Sequence, residues 1–514
     1  MLAKTGLLIV SNPKQIANLL GSVKKQVKNT LYVQLLSALS EPLGNFCPKS
    51  INTWHKFSPT IHGIYSQAAR QCSDLDVRVL LSGIKFNVSK IHTQNPIDLV
   101  IFDKKYTKAE IDQFITTRIE NLTKEYNVIT LESNEEVNQE NNNTPFSDKR
   151  YQHSVLGGTF DRLHTAHKLL LSEVVLRSSK KVTIGVTEEN MLSTKTLWEL
   201  IEDIDIRINH VKDFVEDICP EMEYNIVPIS DPFGPSIVDP SMDLIVVSNE
   251  TLRGGEKINT IRKERNLPEL DILPIELMDE PNPSPIEEAK ISSSTTRIRL
   301  LGTLLKPIEH KDIPKSPYVI GLTGGVASGK SGVATHMENL GAQIINCDLI
   351  AHELYKRGKP CYKKIVGHFG EKVVAANGEI DRKVLGGIVF TDKEELNTLN
   401  GLVWPAIAEE VQTIISNSKA KVVVVEGAVL LTAGWQSMCH EVWTTVISRA
   451  EAINRLETRN GLTEEQATSR IDSQPSNKFY VQSSNVVFCT LWPVEYTKQQ
   501  VIKAWNLLAE RIPA

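Results

Sequence analysis

A glycine-rich stretch between a predicted strand and a predicted helix constrains this chain more than any other part of it. Residues 318–331 read YVIGLTGGVASGKS, in which an apolar strand precedes the pattern G-x-x-x-x-G-K-S, and a helical segment then runs to Leu340. Glycines let successive backbone N–H groups point at phosphate oxygens, and the N-terminal end of the helix adds positive potential at the same place. The alternative is a glycine-rich turn without a ligand, but the flanking strand and helix favour a site for a nucleoside triphosphate.

Each part of this loop has an expected task. The loop backbone would hold the phosphates, Lys330 would reach the outer phosphates, and the Ser331 hydroxyl would bind Mg²⁺. The backbone positions concerned are Gly324, Gly325, Val326, Ala327, Ser328 and Gly329. These residues imply a bound triphosphate without saying what is done with it.

Length and composition set limits on the whole chain. The 514 residues predict about three domains, and a net charge of −5 gives no general field that would attract nucleic acid or an acidic membrane. The seven cysteines are scattered without a C-x-x-C pair, which indicates a reducing compartment and argues against a structural zinc site. No apolar run is long enough to span a bilayer, so we expect a cytoplasmic protein. The sequence leaves the oligomeric state open and is compatible with a monomer.

Residues 1–130 predict a small α/β region without a catalytic constellation. Its β-rich runs lie at 6–10, 31–36, 77–81 and 97–102, and a helical pattern covers 108–121. Five lysines and no acidic residue precede Glu41, which is compatible with a membrane-surface role or with organelle targeting, including association with a mitochondrion. The same segment has no arginine and no signal-peptide core, so an ordinary folded segment is favoured. Residues 131–150 are polar and aperiodic, which predicts a flexible linker.

A second candidate nucleotide site follows this linker. The sequence SVLGGTFDRLHTAH, residues 154–167, predicts a strand, a glycine turn and the start of a helix, on which His164 and His167 share a face. At a helix N-terminus, two imidazoles can donate hydrogen bonds to a triphosphate. An isolated pair of this kind is more often a capping histidine and a surface histidine, but the glycine turn before it favours a nucleotide site. The turn consists of Gly157, Gly158, Thr159, Phe160 and Asp161.

Strands and helices alternate through the rest of this segment, to about residue 305. Such alternation predicts a parallel sheet that binds ligands at the carboxyl ends of its strands. Near its end, Ser292, Ser293 and Ser294 lead into a helix, and Arg297 follows. The hydroxyl and N–H groups would bind a leaving pyrophosphate whose charge the guanidinium neutralises. The alternative is an ordinary helix cap followed by a solvated arginine.

The motifs resemble known families. G-T-F-D-x-x-H-x-x-H over 158–167, with I-S-S-S-x-x-R over 291–297, resembles the nucleotidyltransferase superfamily, and VVSNETLRGGEKIN over 246–259 is similar to the eukaryotic phosphopantetheine adenylyltransferase domain. The segment that carries the phosphate loop resembles dephospho-coenzyme A kinase. Together, residues 151–514 resemble the bifunctional coenzyme A synthase family. Ala166 departs from the superfamily, which usually has glycine between the two histidines, although alanine preserves the helix.

The resemblance implies roles in the first site, over a domain of residues 151–305. His167 would stabilise the charge of adenylyl transfer from ATP to 4′-phosphopantetheine, with His164 on the same triphosphate and Thr159 near the acceptor phosphate. Lys195, in the loop after the second strand, would clamp the triphosphate, and a mobile solvated lysine is the equal alternative. Arg253 would add to the ATP site.

The resemblance also implies a kinase over 318–514, joined by a proline-containing connector over 306–317. Its substrates would be ATP and dephospho-coenzyme A. Asp348 follows the next predicted strand, with His352 one helical turn later. It would accept the proton of the ribose hydroxyl or assist Mg²⁺ through water, and the resemblance favours the first role. The alternative role of Asp348, compatible with the first, is an N-cap for a helix over 349–357.

Two positions depart from the related kinases. Glu426 ends an apolar strand over 422–425 and would hold metal-bound water, but the relatives more often have Asp-x-Pro there, which leaves its role open. Trp404 stands where many relatives have a histidine before proline. Because an indole cannot shuttle a proton, we assign no chemistry to Trp404.

A helical segment over 449–474 carries further cations. Arg455 and Arg459 are four positions apart, so they share a helix face that would close over ATP as a lid. The alternative is a solvated basic face with partners such as Glu451. The phosphate loop upstream favours the lid.

The sequence as a whole therefore predicts an α/β fold with two parallel-sheet nucleotide-binding domains, one nucleotidyltransferase Rossmann-like and one P-loop kinase, after a small N-terminal α/β region. The implied activities are the last two steps of coenzyme A biosynthesis, with ATP and Mg²⁺, small-molecule substrates and no nucleic acid. Two alternatives stay open: a fusion whose kinase is inactive, so that only adenylyl transfer remains, and a nucleotide-regulated switch or scaffold. The lack of a guanine-reading N-K-x-D or T-K-x-D segment and the second nucleotide motif both count against a switch.

Overall fold

The computed structural model describes residues 2–39, 57–86, 88–131, 149–389 and 392–512. The chain divides into two compact units, residues 1–296 and residues 297–514. The predicted flexible linker falls almost wholly outside the described residues. Among the helices of the described ranges, none combines the length and the apolar character that a membrane span requires.

The first unit contains two five-stranded sheets. Its strands are β1 (Ala3–Val10), β2 (Val27–Leu35), β3 (Asp76–Val79), β4 (Ile97–Phe102), β5 (Leu122–Thr130), β6 (Tyr151–Gly158), β7 (Ser178–Thr187), β8 (Glu223–Ile229), β9 (Leu244–Ser248) and β10 (Asp271–Ile275). Its helices are α1 (Ile16–Val23), α2 (Phe57–Gln71), α3 (Ser82–Phe86), α4 (Lys108–Arg118), α5 (Thr165–Arg177), α6 (Ile204–Ile218), α7 (Leu252–Glu264) and α8 (Ser293–Leu300), the last of which crosses the unit boundary.

The two sheets of the first unit have the same topology. The order is β3-β2-β1-β4-β5 in one and β8-β7-β6-β9-β10 in the other, and all the strand pairs are parallel. In β1, residues 5–10 are all buried, as expected of a central strand that helices cover on both faces. The N-terminal α/β region is therefore a complete parallel-sheet domain.

These two domains pack through α2 and α5. Apolar residues of both helices belong to one buried cluster, which includes Ile61 and Ile64 of α2 and Leu171 and Val175 of α5. Ten of the thirteen residues of α5 are buried. The helix that begins with the histidine motif is thus enclosed on its outer side by the N-terminal domain.

The second unit is built on one five-stranded parallel sheet with the order β12-β13-β11-β14-β15. Its strands are β11 (Tyr318–Gly324), β12 (Gln343–Asn346), β13 (Val422–Glu426), β14 (Glu441–Val446) and β15 (Val486–Cys489). Its helices are α9 (Lys330–Asn339), α10 (Cys347–Leu354), α11 (Pro360–Phe369), α12 (Arg382–Val389), α13 (Lys393–Asn417), α14 (Arg449–Asn460), α15 (Glu464–Asp472), α16 (Asn477–Gln482) and α17 (Val494–Ala509). With both units, the predicted fold class is confirmed.

The predicted connector over 306–317 is fastened to the second unit. Asn485 Nδ2 donates to the Pro307 carbonyl at 3.3 Å. The Lys311 Nζ donates to the carbonyls of Gln436 at 2.7 Å and Cys439 at 2.8 Å. These bonds hold the segment against the loops that precede β14 and β15.

Two helix predictions in the second unit were wrong. The segment over 449–474 is two helices, α14 and α15, because Gly461 adopts a left-handed conformation with φ of 64° and a capping box at Thr463 starts the second helix. The helix near Asp348 begins at Cys347, and Asn346 caps it by accepting the Leu349 N–H at 3.0 Å. Asp348 is therefore not the N-cap.

We predict that Ile64→Ala destabilises both domains of the first unit together. Ile64 is fully buried in their shared cluster, so a cavity there should lower the free energy of unfolding by about 2–5 kcal/mol. Hydrogen exchange in a denaturant series should show α2 and α5 losing protection in one transition. Ile206→Ala, at a position that is 45% exposed on α6, is the matched control and should change stability little. Loss of protection in α2 without any change in α5 would contradict a shared core.

Candidate functional sites

The first candidate site lies where β6 and β9 end. These neighbouring parallel strands pair at Ser154 with Leu244 and at Val155 with Ile245. In the sheet, β6 lies between β7 and β9. The chain adds β7 and β8 on one side of β6 and later adds β9 and β10 on the other side, so the strand order reverses between β6 and β9. Ligands of open α/β sheets bind in the crevice outside such a switch point.

The turn after β6 is rigid. Phe160 and Arg162 both have positive φ, 50° and 48°, which is uncommon for residues with side chains. The Asp161 carboxylate is fully buried and accepts hydrogen bonds from the Glu202 N–H at 3.1 Å and from Arg162 Nη1 at 2.9 Å. A Cβ on Gly158 would lie 3.0 Å from the Phe160 ring, so glycine lets the turn fold tightly.

The two histidines lie together at the start of α5. His164 is the N-cap and His167 is in the first turn, with their rings stacked at 3.8 Å between centroids and 18° between planes. The Ser293 hydroxyl donates to the Asp161 carbonyl at 3.1 Å and lies 3.4 Å from His164 Nε2. The structure thus brings the serine run at the start of α8 to the histidine motif, although 129 positions separate Ser293 from His164.

Burial controls the protonation of His167. Burial lowers the pKa of the His167 imidazole to about 4, against the raising effect of Asp161 and with a smaller lowering effect from Lys195. Its surface area leaves the side chain half-buried, but its Nδ1 atom is buried and has no hydrogen-bond partner among the described residues. The enclosed nitrogen decides the direction of the shift, so His167 is neutral near pH 7.

Arg207, which the sequence analysis did not single out, fixes the floor of this site. Its guanidinium donates to the carbonyls of Thr159 at 2.7 Å, Thr187 at 2.9 Å and Glu202 at 2.7 Å. Arg207 is buried, and these bonds tie the turn after β6 to the end of β7. The available sequence signal was that Arg207 lies among the apolar positions of α6, where a charged side chain must be buried with partners.

The remaining predicted residues of this site are at different places. Lys195 is exposed in the loop after β7 and lies near enough to influence the pKa of His167. Arg253 is exposed in the first turn of α7, which follows β9.

The Ser292 hydroxyl accepts the Thr295 N–H at 3.2 Å, as in a helix cap, and Ser294 is half-buried in the first turn of α8. Arg297 is buried at the first position of the second unit.

The second candidate site is the loop between β11 and α9, where two glycines are required by close contacts. Gly324 has φ of 142°, and a Cβ there would lie 2.4 Å from the Thr445 carbonyl oxygen. Gly329 has φ of 85°, and a Cβ there would lie 2.9 Å from Thr490 Cγ2. Ala327 also has a positive φ of 59°. The loop is therefore held in a conformation that few other sequences can adopt.

Side chains with charge and hydroxyl groups meet at this loop. Lys330 Nζ donates to the carbonyls of Gly324 at 2.8 Å and Gly325 at 2.9 Å. The Ser331 hydroxyl donates to Glu426 Oε1 at 2.9 Å, and the second carboxylate oxygen accepts from Asn346 Nδ2 at 2.9 Å. Glu426 therefore reaches the hydroxyl of the loop despite its departure from the usual motif. Nothing local in the sequence indicates this role of Asn346, because its partner Glu426 lies 80 positions further along the chain.

Two carboxylates influence the loop lysine. Burial lowers the pKa of Lys330, while Glu426 and Asp348 oppose that shift. Asp348 is exposed at the second position of α10, directly after the end of β12. His352 is also exposed, one turn further along the helix. Asp348 is placed at the carboxyl edge of the sheet with its carboxylate open to a ligand.

Arg455 fixes the far side of the loop. Its Nη1 atom donates to the Ala327 carbonyl at 3.1 Å and to the Thr490 hydroxyl at 2.8 Å, and its Nε atom donates to Glu451 at 3.0 Å. Gln474 Oε1 also accepts the Val326 N–H at 2.7 Å, a contact that the sequence did not indicate. Arg455 thus supports the loop instead of lying on a purely solvated helix face.

A cavity of about 360 Å³ opens beside this loop. Its lining residues are Val326, Ala327, Gly329, Arg455, Leu456, Thr458, Arg459, Asn460 and Arg470. The exposed Arg459 and Arg470 come from α14 and α15, the two helices that replace the single predicted one. Trp404 is half-buried on α13 among apolar residues.

Comparison with known proteins identifies relatives of both sites. The dephospho-CoA kinase family model matches residues 318–489, and the cytidylyltransferase-like family model matches residues 155–300. The dephospho-CoA kinase of Carboxydothermus hydrogenoformans is 34% identical over 187 residues, which are 36% of this chain and 91% of that protein. The dephospho-CoA kinase of Bacillus cereus is 36% identical over 196 residues, 37% of this chain and 98% of that protein.

Among solved structures, the dephospho-CoA kinase from Campylobacter jejuni is 25% identical to this chain. The match covers 38% of this chain and 98% of that chain, with a TM-score of 0.30.

We predict that His167 titrates well below an ordinary histidine. Because its pKa is lowered from 6.5 to about 4, the unfolded chain binds a proton more readily than the folded one between these values. The neutral imidazole of His167 therefore contributes fully to the stability of the folded protein above about pH 6.5, and this contribution is lost as the pH falls toward 4. NMR titration of the imidazole should give a midpoint near 4, and added triphosphate should raise it. A midpoint near 6.5 in the free protein would contradict the buried environment.

Proposed function

Because this chain belongs to the dephospho-CoA kinase family and carries a cytidylyltransferase-like domain ahead of the kinase, we propose that it catalyses the last two steps of coenzyme A biosynthesis. It is a bifunctional transferase, with ATP as the co-substrate of both reactions. The observation that carries this conclusion is the presence of two separately built sites, each at the carboxyl edge of its own parallel sheet. The resemblance to bifunctional coenzyme A synthases is confirmed by both family matches.

In the first reaction, a phosphate oxygen of 4′-phosphopantetheine attacks the α-phosphorus of ATP. The bond from that phosphorus to the bridging oxygen of the β-phosphate breaks, which gives dephospho-CoA and pyrophosphate. Neutral His167 would donate a hydrogen bond to the charge that develops, with His164 on the same triphosphate. Thr159 would bind near the acceptor phosphate, and Lys195 would approach from its exposed loop.

The first turns of two helices would complete this site. The N–H and hydroxyl groups of Ser292, Ser293 and Ser294 at the start of α8 would bind the leaving pyrophosphate. Arg253 in the first turn of α7 would add a cation to the ATP site. Arg297 is proposed to neutralise pyrophosphate, on the basis of the motif that it ends.

In the second reaction, the ribose 3′-hydroxyl of dephospho-CoA attacks the γ-phosphorus of a second ATP. Asp348 would accept the hydroxyl proton, and Lys330 would neutralise charge on the transferring phosphoryl group. The contacts of the loop backbone with Arg455 support a fixed phosphate site, and Arg459 would close over the triphosphate from the wall of the cavity.

We propose that Mg²⁺ serves the kinase. The Ser331 hydroxyl and the Glu426 carboxylate, 2.9 Å apart, are the hard oxygen ligands that this ion prefers, directly or through water. No group of three or more His, Cys, Asp or Glu side chains suited to a metal lies within the described ranges, so water and substrate phosphates would provide the other ligands. When bound, Mg²⁺ neutralises charge on the phosphates.

The alternative of an inactive kinase is less well supported. It rested on Glu426 and Trp404, but the Glu426 carboxylate contacts both Ser331 and Asn346 at 2.9 Å. The longer side chain therefore still reaches the loop hydroxyl. A nucleotide-regulated scaffold would require neither this contact nor the second site in the first unit.

A cytoplasmic location with some association with mitochondria is also a proposal. The six cysteines within the described ranges are all unpaired in disulfides and buried, as a reducing compartment allows. The lysine-rich segment that suggested a mitochondrion is folded into β1, α1 and β2, so any such association would use the folded domain. Fractionation of the intact chain tests the location, and its exclusion from the cytosolic fraction would contradict it.

We predict that substitutions in the two sites separate the two reactions. His167→Ala should lower adenylyl transfer by at least about 100-fold and leave the kinase rate unchanged, because only the first site loses a donor. Lys330→Ala should do the reverse. Assays that follow dephospho-CoA and CoA separately provide an internal control in each protein. Equal losses of both reactions in either variant would rule out independent sites, and an active protein that makes dephospho-CoA but no CoA would favour the inactive-kinase alternative.

We also predict that Glu426→Gln weakens the response of the kinase to Mg²⁺. The amide keeps the size of the side chain but removes the charge, so the Mg²⁺ concentration for half-maximal kinase rate should rise by about tenfold or more. The adenylyl transfer reaction of the same variant is the control and should keep its Mg²⁺ dependence. An unchanged kinase profile would remove Glu426 from the proposed metal site.

A further inference from the structure

The N-terminal domain repeats the strand order of the adenylyltransferase domain but has a different turn at the matching place. Its switch point lies between β1 and β4, as that of the other domain lies between β6 and β9. The backbone N–H groups of Ser11 and Asn12, just after β1, donate to the buried Asp103 carboxylate at 2.6 and 3.1 Å, and the Ser11 hydroxyl also donates to it. The backbone N–H groups that would bind a triphosphate are already bonded to Asp103, and the negative charge of this carboxylate would repel the phosphates. This domain is therefore not a further ATP site of the same kind.

Its contacts with α5 are polar and specific. The buried side chain of Lys168, on α5, forms an ion pair with Asp76 of β3, whose side chain is 35% exposed. The Tyr65 hydroxyl lies 3.2 Å from the Ser172 hydroxyl, and the Ser58 hydroxyl donates to Glu173. These three contacts follow one side of α5 from its first turn toward its end. Burying such groups is unfavourable unless they are paired, so their pairing fixes the position of α5 against the N-terminal domain.

A second cluster fixes α6 in the same way. The fully buried side chain of Asp217 accepts hydrogen bonds from the Tyr32 hydroxyl at 2.6 Å, from Arg78 at 2.6 Å and from the Gln94 N–H at 2.8 Å. The Leu81 N–H also donates to the Ile218 carbonyl at 2.8 Å. Two helices of the catalytic domain are thus held, so this domain cannot rotate as a whole against the N-terminal domain without breaking both clusters.

The ion pair lies next to the proposed catalytic group. Lys168 directly follows His167 in the first turn of α5, where ring stacking with His164 leaves little room for movement. A shift of about 1 Å in a group that stabilises a transition state can cost about 100-fold in rate. The contacts made by Asp76 are therefore placed to control the reaction without touching the substrate.

We propose that the N-terminal domain is a positioning domain for adenylyl transfer, in which Asp76, Tyr65 and Ser58 hold α5 so that the two histidines face the triphosphate. These three are positioning residues, since they act through Lys168, Ser172 and Glu173. This inference rests on the proposed function of the first site. It gives the N-terminal domain a role in the first reaction and none in the second.

The test compares Asp76→Asn with Asp74→Asn in the full chain. Asp74 lies two positions away, its side chain is 76% exposed, and its carboxylate forms an ion pair with Lys24 at 3.0 Å. Asp74→Asn therefore removes the same charge at an exposed position. For Asp76→Asn, kcat of adenylyl transfer per ATP-competent site should fall by about tenfold or more, with a much smaller change in the KM for ATP. The kinase rate of the same molecules should not change. Asp74→Asn should match the wild type in both reactions.

Two further measurements distinguish positioning from loss of folded protein. Asp76→Glu should restore most of the rate, and the NMR titration midpoint of His167 in Asp76→Asn should move from about 4 toward 6.5 as the first turn of α5 opens to water. If Asp76→Asn does not fold, Tyr65→Phe, which loses only the hydroxyl, replaces it and should lower the rate about twofold to threefold.

The outcomes are separable. An active wild type whose folded Asp76→Asn and Tyr65→Phe variants keep the full rate per site would overturn the positioning role alone. A wild type with kinase activity and no adenylyl transfer would overturn the proposed function of the first site and this inference with it. A loss in Asp74→Asn equal to that in Asp76→Asn would also overturn the inference, because the effect would then not depend on α5.

Discussion

The carboxyl edge of a parallel sheet is the constraint on which both candidate sites depend. Strands that all point the same way deliver their following loops to one edge, and helices that begin there direct unpaired N–H groups toward the same space. In the first unit this edge holds the glycine turn and the two histidines, and in the second it holds the phosphate loop with Lys330 and Glu426.

The two sheets of the first unit have the same strand order but different loops after their strands, and these loops determine the chemistry. The N-terminal and adenylyltransferase domains have the same strand order, yet one closes its switch point with Asp103 and the other opens it at His164 and His167. The kinase sheet has another order, with β13 between β11 and β12. A fold of this type therefore does not by itself indicate a nucleotide site, and the residues after the strands must be examined individually.

Much of the fold and of both sites could be predicted because the signals are local. Apolar runs mark the strands, and the phosphate loop and histidine motif are continuous in sequence. What could not be predicted depends on distant pairs, such as Asp76 with Lys168 and Asn346 with Glu426, which no periodicity reveals. The prediction of a single helix over 449–474 was wrong for a local reason. The spacing of the arginines favoured one helix, but a glycine and a capping box in the same segment divide it into two.

Both motifs and both sheets lead to two independent sites for ATP in one chain. Isothermal titration calorimetry of the intact protein with a non-hydrolysable ATP analogue, at saturating Mg²⁺, measures their number. We expect two equivalents of bound analogue per chain. Saturation at one equivalent by a fully folded protein would contradict this expectation.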